Sequence, residues 1–426
     1  MNAYNELKDR GFIYQETDAA AIAELLDREK IAFYVGFDPT GSSLHVGHLL
    51  PIMAMRLLQK FGHKPIVLVG GATGQIGDPS GKLTARPILT KEEVAHNVEC
   101  LRAQLARFIA VDQALFVNNA DWFENVKYLD FLREIGNKFS VNKMLTQESV
   151  KMRLENGLSF LEFNYSILQA YDFYVLNRDY NCRMQFGGQD QWGNMVSGVD
   201  LVRRMSQNEV FCMTFPLLLD SSGKKFGKTA GGNNVWLDVN RTAVFDYYQF
   251  WRNCDDAQLE KLLSYFTALP MDEVRRLAAL TDGGINRAKE ILAYEATKLA
   301  HGEAAARDAY LAAGSKFGFA DRDGRIPTSS TIAAIDLSQA AASDVPAVEF
   351  PADRFAGEGV RVTNLFAEAG LTKTVSEARR LVEGGGAYCN GERVADFNRM
   401  ITAGDFQDGA LLLKAGKKNM RKVVLR

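Results

Sequence analysis

The chain has 426 residues, a net charge of −2 and 47% hydrophobic residues, more than one core usually serves, so two or three domains are expected. No apolar run reaches the roughly 18 residues that span a bilayer, and residues 1–10 lack a signal peptide's apolar stretch, so we expect a soluble, cytoplasmic protein without membrane partners. Five scattered cysteines, Cys100, Cys182, Cys212, Cys254 and Cys389, form no C-x-x-C pair; they point to reduced thiols rather than a disulfide frame or a zinc site, and no metal ligands are assigned.

Residues 31–35 and 65–69 are continuous apolar runs, the pattern of strands buried on both faces of a parallel sheet. The second breaks into Gly70-Gly71-Ala72-Thr73-Gly74, at the carboxyl end of a strand, where such sheets bind ligands. Between the runs, the polar loop Asp38-Pro39-Thr40-Gly41-Ser42-Ser43 leads to His45-Val46-Gly47-His48 and a helical stretch over 49–58. The two histidines therefore fall at a helix N-terminus, where orphan N–H groups and the macrodipole favour phosphate. These pieces make a Rossmann-like half.

Residues 91–108 and 122–135 read as helices of an insertion, at about 90–160, between two halves of the sheet. A helix over 163–176 carries Tyr165, Gln169 and Asp172 at i, i+4 and i+7, so all three project from one face. Met184-Gln185-Phe186 then enters Gly187-Gly188-Gln189-Asp190-Gln191-Trp192-Gly193-Asn194, a second strand-to-helix glycine turn. The hydrophilic stretch 221–229 adds Lys225 and Lys228, ammonium groups able to follow a departing pyrophosphate. A lone H-x-x-H is more often a surface accident or half of a metal site, and a lone basic loop is usually solvated surface. Both in this order read as one ATP site.

Helical segments follow over 243–252, 257–266, 271–279, 285–301 and 303–313, giving an expected helical domain at 230–320. Residues 321–358, with Pro327, Pro346 and Pro351, read as a linker with little structure. A last module at 359–426 combines a helix over 375–383, a Gly384-Gly385-Gly386 cap and short strands around 387–394 and 410–413. From Arg361 onward 12 Lys and Arg face 7 Asp and Glu, a local +5 that leaves −7 on the rest. A basic module on an acidic body suggests a polyanion partner.

With these pieces in order, the chain resembles the bacterial tyrosyl-tRNA synthetases of class I over nearly its whole length. The resemblance is carried by Tyr34-Val35-Gly36-Phe37-Asp38-Pro39-Thr40, the His45–His48 segment, Gly70 to Ser80, Gly187 to Asn194 and Lys225-Phe226-Gly227-Lys228-Thr229. Ser376-Glu377-Ala378-Arg379-Arg380 and Tyr388-Cys389-Asn390-Gly391 resemble the S4-type RNA-binding module of such enzymes. It implies an α/β fold: a Rossmann-like parallel-sheet catalytic domain at 1–229 with the inserted helical segment, an α-helical tRNA-binding domain and a small α+β S4-like domain. It also implies a reaction in which tyrosine and ATP, with Mg2+, give tyrosyl-adenylate and pyrophosphate before the tyrosyl group passes to tRNA(Tyr). A homodimer through the segment around 91–139 is implied as well.

By the same resemblance, Thr40 and His45 would contact the terminal phosphates of ATP and His48 the nucleotide near its ribose. Lys82, Arg86, Lys225, Lys228 and Thr229 would gather on the leaving pyrophosphate. Gly36, Asp38 and Gly47 would line the ATP site, Gly188 and Asp190 would meet the ribose, and Asp38 and Gln191 would lie near the α-phosphate and the substrate carboxylate. Tyr34 and Asp172 would bind the substrate phenol, and Asp78, Tyr165 and Gln169 its ammonium. In the basic terminal segment, Arg379, Arg380, Lys417 and Lys418 are the candidates for contact with the RNA backbone. Val35 and Gln189 stand where many members have cysteine and serine. Two alternatives stay open: the related tryptophanyl enzymes, opposed by the Tyr34–Asp172 pair and the S4-like end, and an RNA-binding protein with a degenerate core, opposed by intact His45, His48, Lys225 and Lys228.

Overall fold

The computed structural model describes residues 2–80, 89–155, 157–219, 223, 225–228, 232–337, 347–406, 409–416 and 419–425. The chain folds as two compact units, Met1–Glu303 and Ala304–Arg426. Among the described residues, no helix is long and apolar enough to cross a membrane.

The first unit is built on a six-stranded sheet of β1 (Gln15–Glu16), β2 (Ala32–Phe37), β3 (Lys64–Val69), β4 (Leu115–Asn118), β5 (Cys182–Gly188) and β6 (Phe211–Phe215). The spatial order is β1-β6-β5-β2-β3-β4, and every neighbouring pair is parallel except β1 with β6. This is the Rossmann-like α/β fold expected. Chain direction across the sheet reverses beside β2, which is flanked by β3 on one side and β5 on the other, so a crevice opens at the carboxyl ends of these strands. The continuous apolar run of β3 is buried from Pro65 onward because helices cover such strands on both faces. Strands β4 and β6 have no clear signature in the sequence. The four residues of β4 are only half-buried, and the five of β6 form an apolar run too short to separate strand from helix by period.

The helix Leu49–Lys60 follows β2 and buries Leu49, Ile52, Met55 and Leu58 against the core. In the insertion, Lys91–Leu105 is a helix opened by a capping box between Thr90 and Glu93. The single helix expected over 122–135 is instead two, Ala120–Phe123 and Tyr128–Glu134. Asn125 lies in the break and its amide donates to the Asp121 carbonyl, the kind of local bond that competes with helix continuation. Tyr165–Tyr180 is the long helix across the crevice, stopped by Asn181 in the left-handed region at φ 51°.

The helices Val244–Arg252, Leu259–Phe266, Met271–Ala278 and Asp282–His301 belong to the first unit. Two devices join them to the rest of the unit. Arg10, 8% exposed, donates to the carbonyls of Ser264, Thr267 and Leu269, and Phe226 packs among Phe250, Trp251 and Phe266 with ring centroids 5.1–6.5 Å apart.

The second unit holds β7 (Ala347–Phe350), β8 (Val360–Arg361), β9 (Ala387–Cys389), β10 (Glu392–Arg393), β11 (Met400–Ile401), β12 (Ala410–Ala415) and β13 (Asn419–Leu425). Five of them form a sheet in the order β10-β9-β12-β13-β7, and β8 pairs with β11. The Asn390-Gly391 turn between β9 and β10 has φ of 48° and 84°, the positive pair that a two-residue hairpin of the primed type requires. The stretch expected as a linker is structured in part: β7 runs parallel to β13, and Phe350 and Phe355 are buried in this unit's core with Leu365, Phe366, Leu411 and Val423. Their burial overrides the turn-rich composition around them.

Candidate active site

Four stretches converge at the mouth of the crevice: the loops after β2 and β3, the turn after β5, and the helix Tyr165–Tyr180. Asp38, first residue after β2, accepts from Thr73 Oγ1 at 2.8 Å and from Tyr165 Oη at 2.7 Å. The approach is close enough that a Cβ on Gly70 would collide with both Asp38 Oδ1 and Thr73 Oγ1. Asn119, fully buried just past β4, donates to Thr73 Oγ1 at 3.0 Å and to Asp172 Oδ2 at 3.1 Å. One chain of hydrogen bonds thus runs from Tyr165 through Asp38, Thr73 and Asn119 to Asp172.

Asp172 also accepts from Trp122 Nε1 at 2.9 Å. Burial pushes its carboxyl up to about 8, against the Asn119 and Trp122 bonds that favour the charged form. Tyr34, 1% exposed on β2, has a buried hydroxyl with no hydrogen-bond partner, and burial together with the Asp172 charge raises its pKa well above the usual phenol range. Beside it in the β2–β5 register, Gln185 is buried with its Oε1 unpartnered. A polar pocket floor is the result.

A second network lies across the crevice. Gln191 Nε2 donates to Asp78 Oδ2 at 2.6 Å, and Asn194 Nδ2 reaches Gln169 Oε1 at 3.1 Å and Gln191 Oε1 at 3.3 Å. Tyr165, Gln169 and Asp172 thereby face the crevice from one helix side. Tyr165 stays a neutral hydroxyl, its pKa raised mainly by burial and next by Asp38.

The His45 and His48 rings lie 4.0 Å apart between centroids, tilted by 45°, and their Nδ1 atoms accept from Gly47 N and His45 N, both at 3.1 Å. Gly47 leaves room for this, since a Cβ there would lie 2.8 Å from the His45 ring. Lys225 and Lys228 are exposed, with Lys225 Nζ 3.9 Å from Asp190 Oδ2. Gly227, at φ 97°, abuts Val46, so the histidine and lysine segments touch.

The structure therefore brings Tyr34, Asp38, Asp78, Tyr165, Gln169, Asp172 and Gln191 around one crevice, with His45, Gly47, His48, Lys225 and Lys228 in touching segments. Gly188 adjoins Asp190, and a Cβ on it would lie 2.7 Å from Asp190 Oδ1. Gly36 is exposed at the end of β2, and Thr40 is exposed on the loop beyond. Lys82, Arg86, Thr229, Lys417 and Lys418 lie outside the described residues. In the second unit, Arg380 is exposed, while Arg379 pairs with Glu383 at 2.9 Å and sits 4.1 Å from the Phe397 ring centroid. Val35 is buried, and the Gln189 amide donates to Tyr14 Oη and accepts from Leu217 N rather than turning toward Asp190. Sequence reasoning missed Thr73, Asn119, Trp122, Gln185 and Asn194. Asn119 and Trp122 follow an edge strand with no clear signature, whereas Thr73 and Asn194 lay inside recognised glycine turns.

A family model described as class I tRNA synthetases (W and Y) matches residues 26–317, and one described as the tyrosine–tRNA ligase SYY-like C-terminal domain matches 336–423. The chain belongs to the class I tRNA synthetases. It is 48% identical to the tyrosine–tRNA ligase of Clostridium perfringens (strain 13 / Type A) over 426 residues, covering 100% of this chain and 99% of that one. It is 49% identical to that of Clostridium botulinum (strain Alaska E43 / Type E3), with 100% of each covered. A C-terminally truncated Aspergillus nidulans mitochondrial tyrosyl-tRNA synthetase superposes with a TM-score of 0.66 at 30% identity, over 73% of this chain and 92% of that one. The second match begins upstream of 359, consistent with β7 lying in the terminal sheet.

The raised pKa of Asp172 has a measurable consequence. With that pKa the carboxyl is largely protonated below about 8, and the role the resemblance implies for it, accepting a hydrogen bond from the substrate phenol, favours the ionised form. Tyrosine affinity should therefore rise with pH by up to about one log unit per pH unit between about 6 and 8, then level off. Fluorescence titration with tyrosine across this range checks it, and a flat profile would exclude Asp172 ionisation from binding.

Proposed function

We propose that the crevice activates tyrosine with ATP and transfers it to tRNA(Tyr). The activity is that of a tyrosine–tRNA ligase of class I, the reaction for which its full-length relatives are named. The observation that carries the substrate assignment is the buried Tyr34 hydroxyl without a partner, in a pocket whose other polar wall is the acceptor Asp172. A phenol satisfies both at once: its oxygen accepts from Tyr34, and its proton goes toward Asp172.

At the other end, Tyr165 spends its proton on Asp38 and Gln169 Oε1 takes one bond from Asn194, so both keep acceptor lone pairs for an ammonium, beside the Asp78 carboxylate. The tyrosine carboxylate then points at the nucleotide. Its oxygen bonds to the α-phosphorus as the bond from that phosphorus to the bridging β-oxygen breaks, and pyrophosphate leaves. In our reading Thr40, His45, Lys225 and Lys228, with Lys82, Arg86 and Thr229, neutralise the phosphate charge, His48, Gly188 and Asp190 hold the nucleoside, and Gln191 steadies the reacting carboxylate. No protein nucleophile is required; catalysis is alignment and electrostatics. Magnesium arrives with ATP as part of that substrate, coordinated by phosphates and water. A cytoplasmic setting fits cysteines that are all free.

We read Tyr128, Leu129, Val141, Phe160 and Leu161, large exposed apolar side chains in the insertion, as a homodimer interface. We further read 1–229 as catalytic, 230–320 as helical and tRNA-binding, and the basic terminal module with Arg379, Arg380, Lys417 and Lys418 as a second tRNA contact. Support for its independence comes from the relative solved in C-terminally truncated form.

Tyrosine-dependent pyrophosphate exchange, run with each amino acid in turn, tests the assignment: only tyrosine should support it. Tyr34→Phe should lower the tyrosine-to-phenylalanine ratio of specificity constants about 10- to 100-fold, the worth of one buried hydrogen bond of about 1–3 kcal/mol; an unmoved ratio would make Tyr34 a packing residue. Truncation after Asp336 should leave exchange nearly intact and sharply reduce tRNA charging, and equal loss of both would show that the module supports the catalytic fold. Light scattering of the full chain should give twice its 47.3 kDa mass, and a monomer would remove the interface.

A further inference from the structure

We propose that Trp236 is a positioning residue that orients His45 and ties it to the lysine loop, an inference that rests on assigning His45 and Lys228 to the ATP phosphates. Residues 234–237 lie between the two signature segments and bond to both. On one side Lys228 bridges to Asn234, and Val235 N donates to Gly227 O at 2.9 Å. On the other, Val46 N donates to Val235 O at 3.0 Å, Leu237 N donates to Leu44 O at 2.9 Å, and His45 bridges to Trp236. The joint is tight, because a Cβ on Gly227 would lie 2.7 Å from Val46 Cγ2.

Within this tie the Trp236 ring meets the His45 ring edge-on, at 6.0 Å between centroids and 71° between planes. Arg241 holds the indole in place, with its guanidinium 3.5 Å from the ring centroid, and Trp236 N donates to Thr242 Oγ1 at 3.0 Å. Trp236 is only partly buried, whereas the core aromatics nearby, such as Trp251 and Phe266, are fully enclosed. Its ring contacts His45 and Arg241. A lysine loop anchored through Phe226 and a histidine segment bonded to the same four residues are then mechanically one body. A shift of the loop around pyrophosphate is passed to His45 through backbone hydrogen bonds and the edge-on indole contact.

The test uses the full-length enzyme and single-turnover formation of tyrosyl-adenylate. Trp236→Ala should slow that step about 10- to 100-fold, the scale expected when a charged-site group is displaced by about 1 Å, with the tyrosine dissociation constant unchanged. Trp236→Phe should restore most of the rate, and Arg241→Met, which keeps the indole, should show a smaller loss in the same direction; if Trp236→Ala does not fold, Arg241→Met carries the test. Combined with His45→Ala, either variant should add nothing to the loss from His45→Ala alone, because the indole acts through that imidazole. Losses that multiply, or a weakened tyrosine affinity at unchanged rate, would overturn the positioning role. A His45→Ala enzyme with an unchanged rate would overturn the phosphate assignment itself, and the role of Trp236 with it.

Discussion

Asp38 is the point on which the site depends. Two short hydrogen bonds, from Thr73 and Tyr165, make its carboxylate the joint between the loop after β2, the loop after β3 and the long helix of the second half. Charge-assisted bonds of this kind are shorter and stronger than neutral ones, and here each is made to a different element. The joint works only because Gly70 has no side chain to separate Asp38 from Thr73.

From that joint the polar network continues inward to Asn119 and Asp172, and its cost is visible at the far end. Asp172 is buried and would rather be neutral, while Tyr34 and Gln185 have buried polar atoms without partners. Each such group costs about 1–3 kcal/mol against a solvated reference. The network is therefore built against stability of the empty pocket and toward a ligand carrying one donor and one acceptor at the same end. Rigid hydrogen-bonded walls hold the groups in place before substrate arrives, which spares reorganisation at the moment of binding.

The phosphate side follows the opposite logic. Lys225 and Lys228, which the proposed reading gives to the departing phosphates, are exposed, as ammonium groups that follow moving charge must be. Residues 226–228 are held by the backbone of residues 234–237 and by the aromatic seat of Phe226, both on neighbouring structure. In the proposed reading, a hydrogen-bonded amino-acid pocket and a tethered, exposed lysine segment share one crevice.

The sequence by itself determined the parallel strands β2 and β3, the glycine turns at their ends and at β5, the histidine and lysine segments, and the helix face shared by Tyr165, Gln169 and Asp172. Each of these is local: an apolar run, a glycine cluster or a period of 3.6 shows within a dozen residues. Only the tertiary structure decided that Asn119 and Trp122 complete the Asp172 site, that Trp236 lies against His45, and that Phe350 and Phe355 bury a stretch whose composition reads as linker. Those contacts join residues dozens to hundreds apart in the chain. Each is made by an ordinary residue type whose partner is chosen by where strands and helices pack, and no local pattern records that choice.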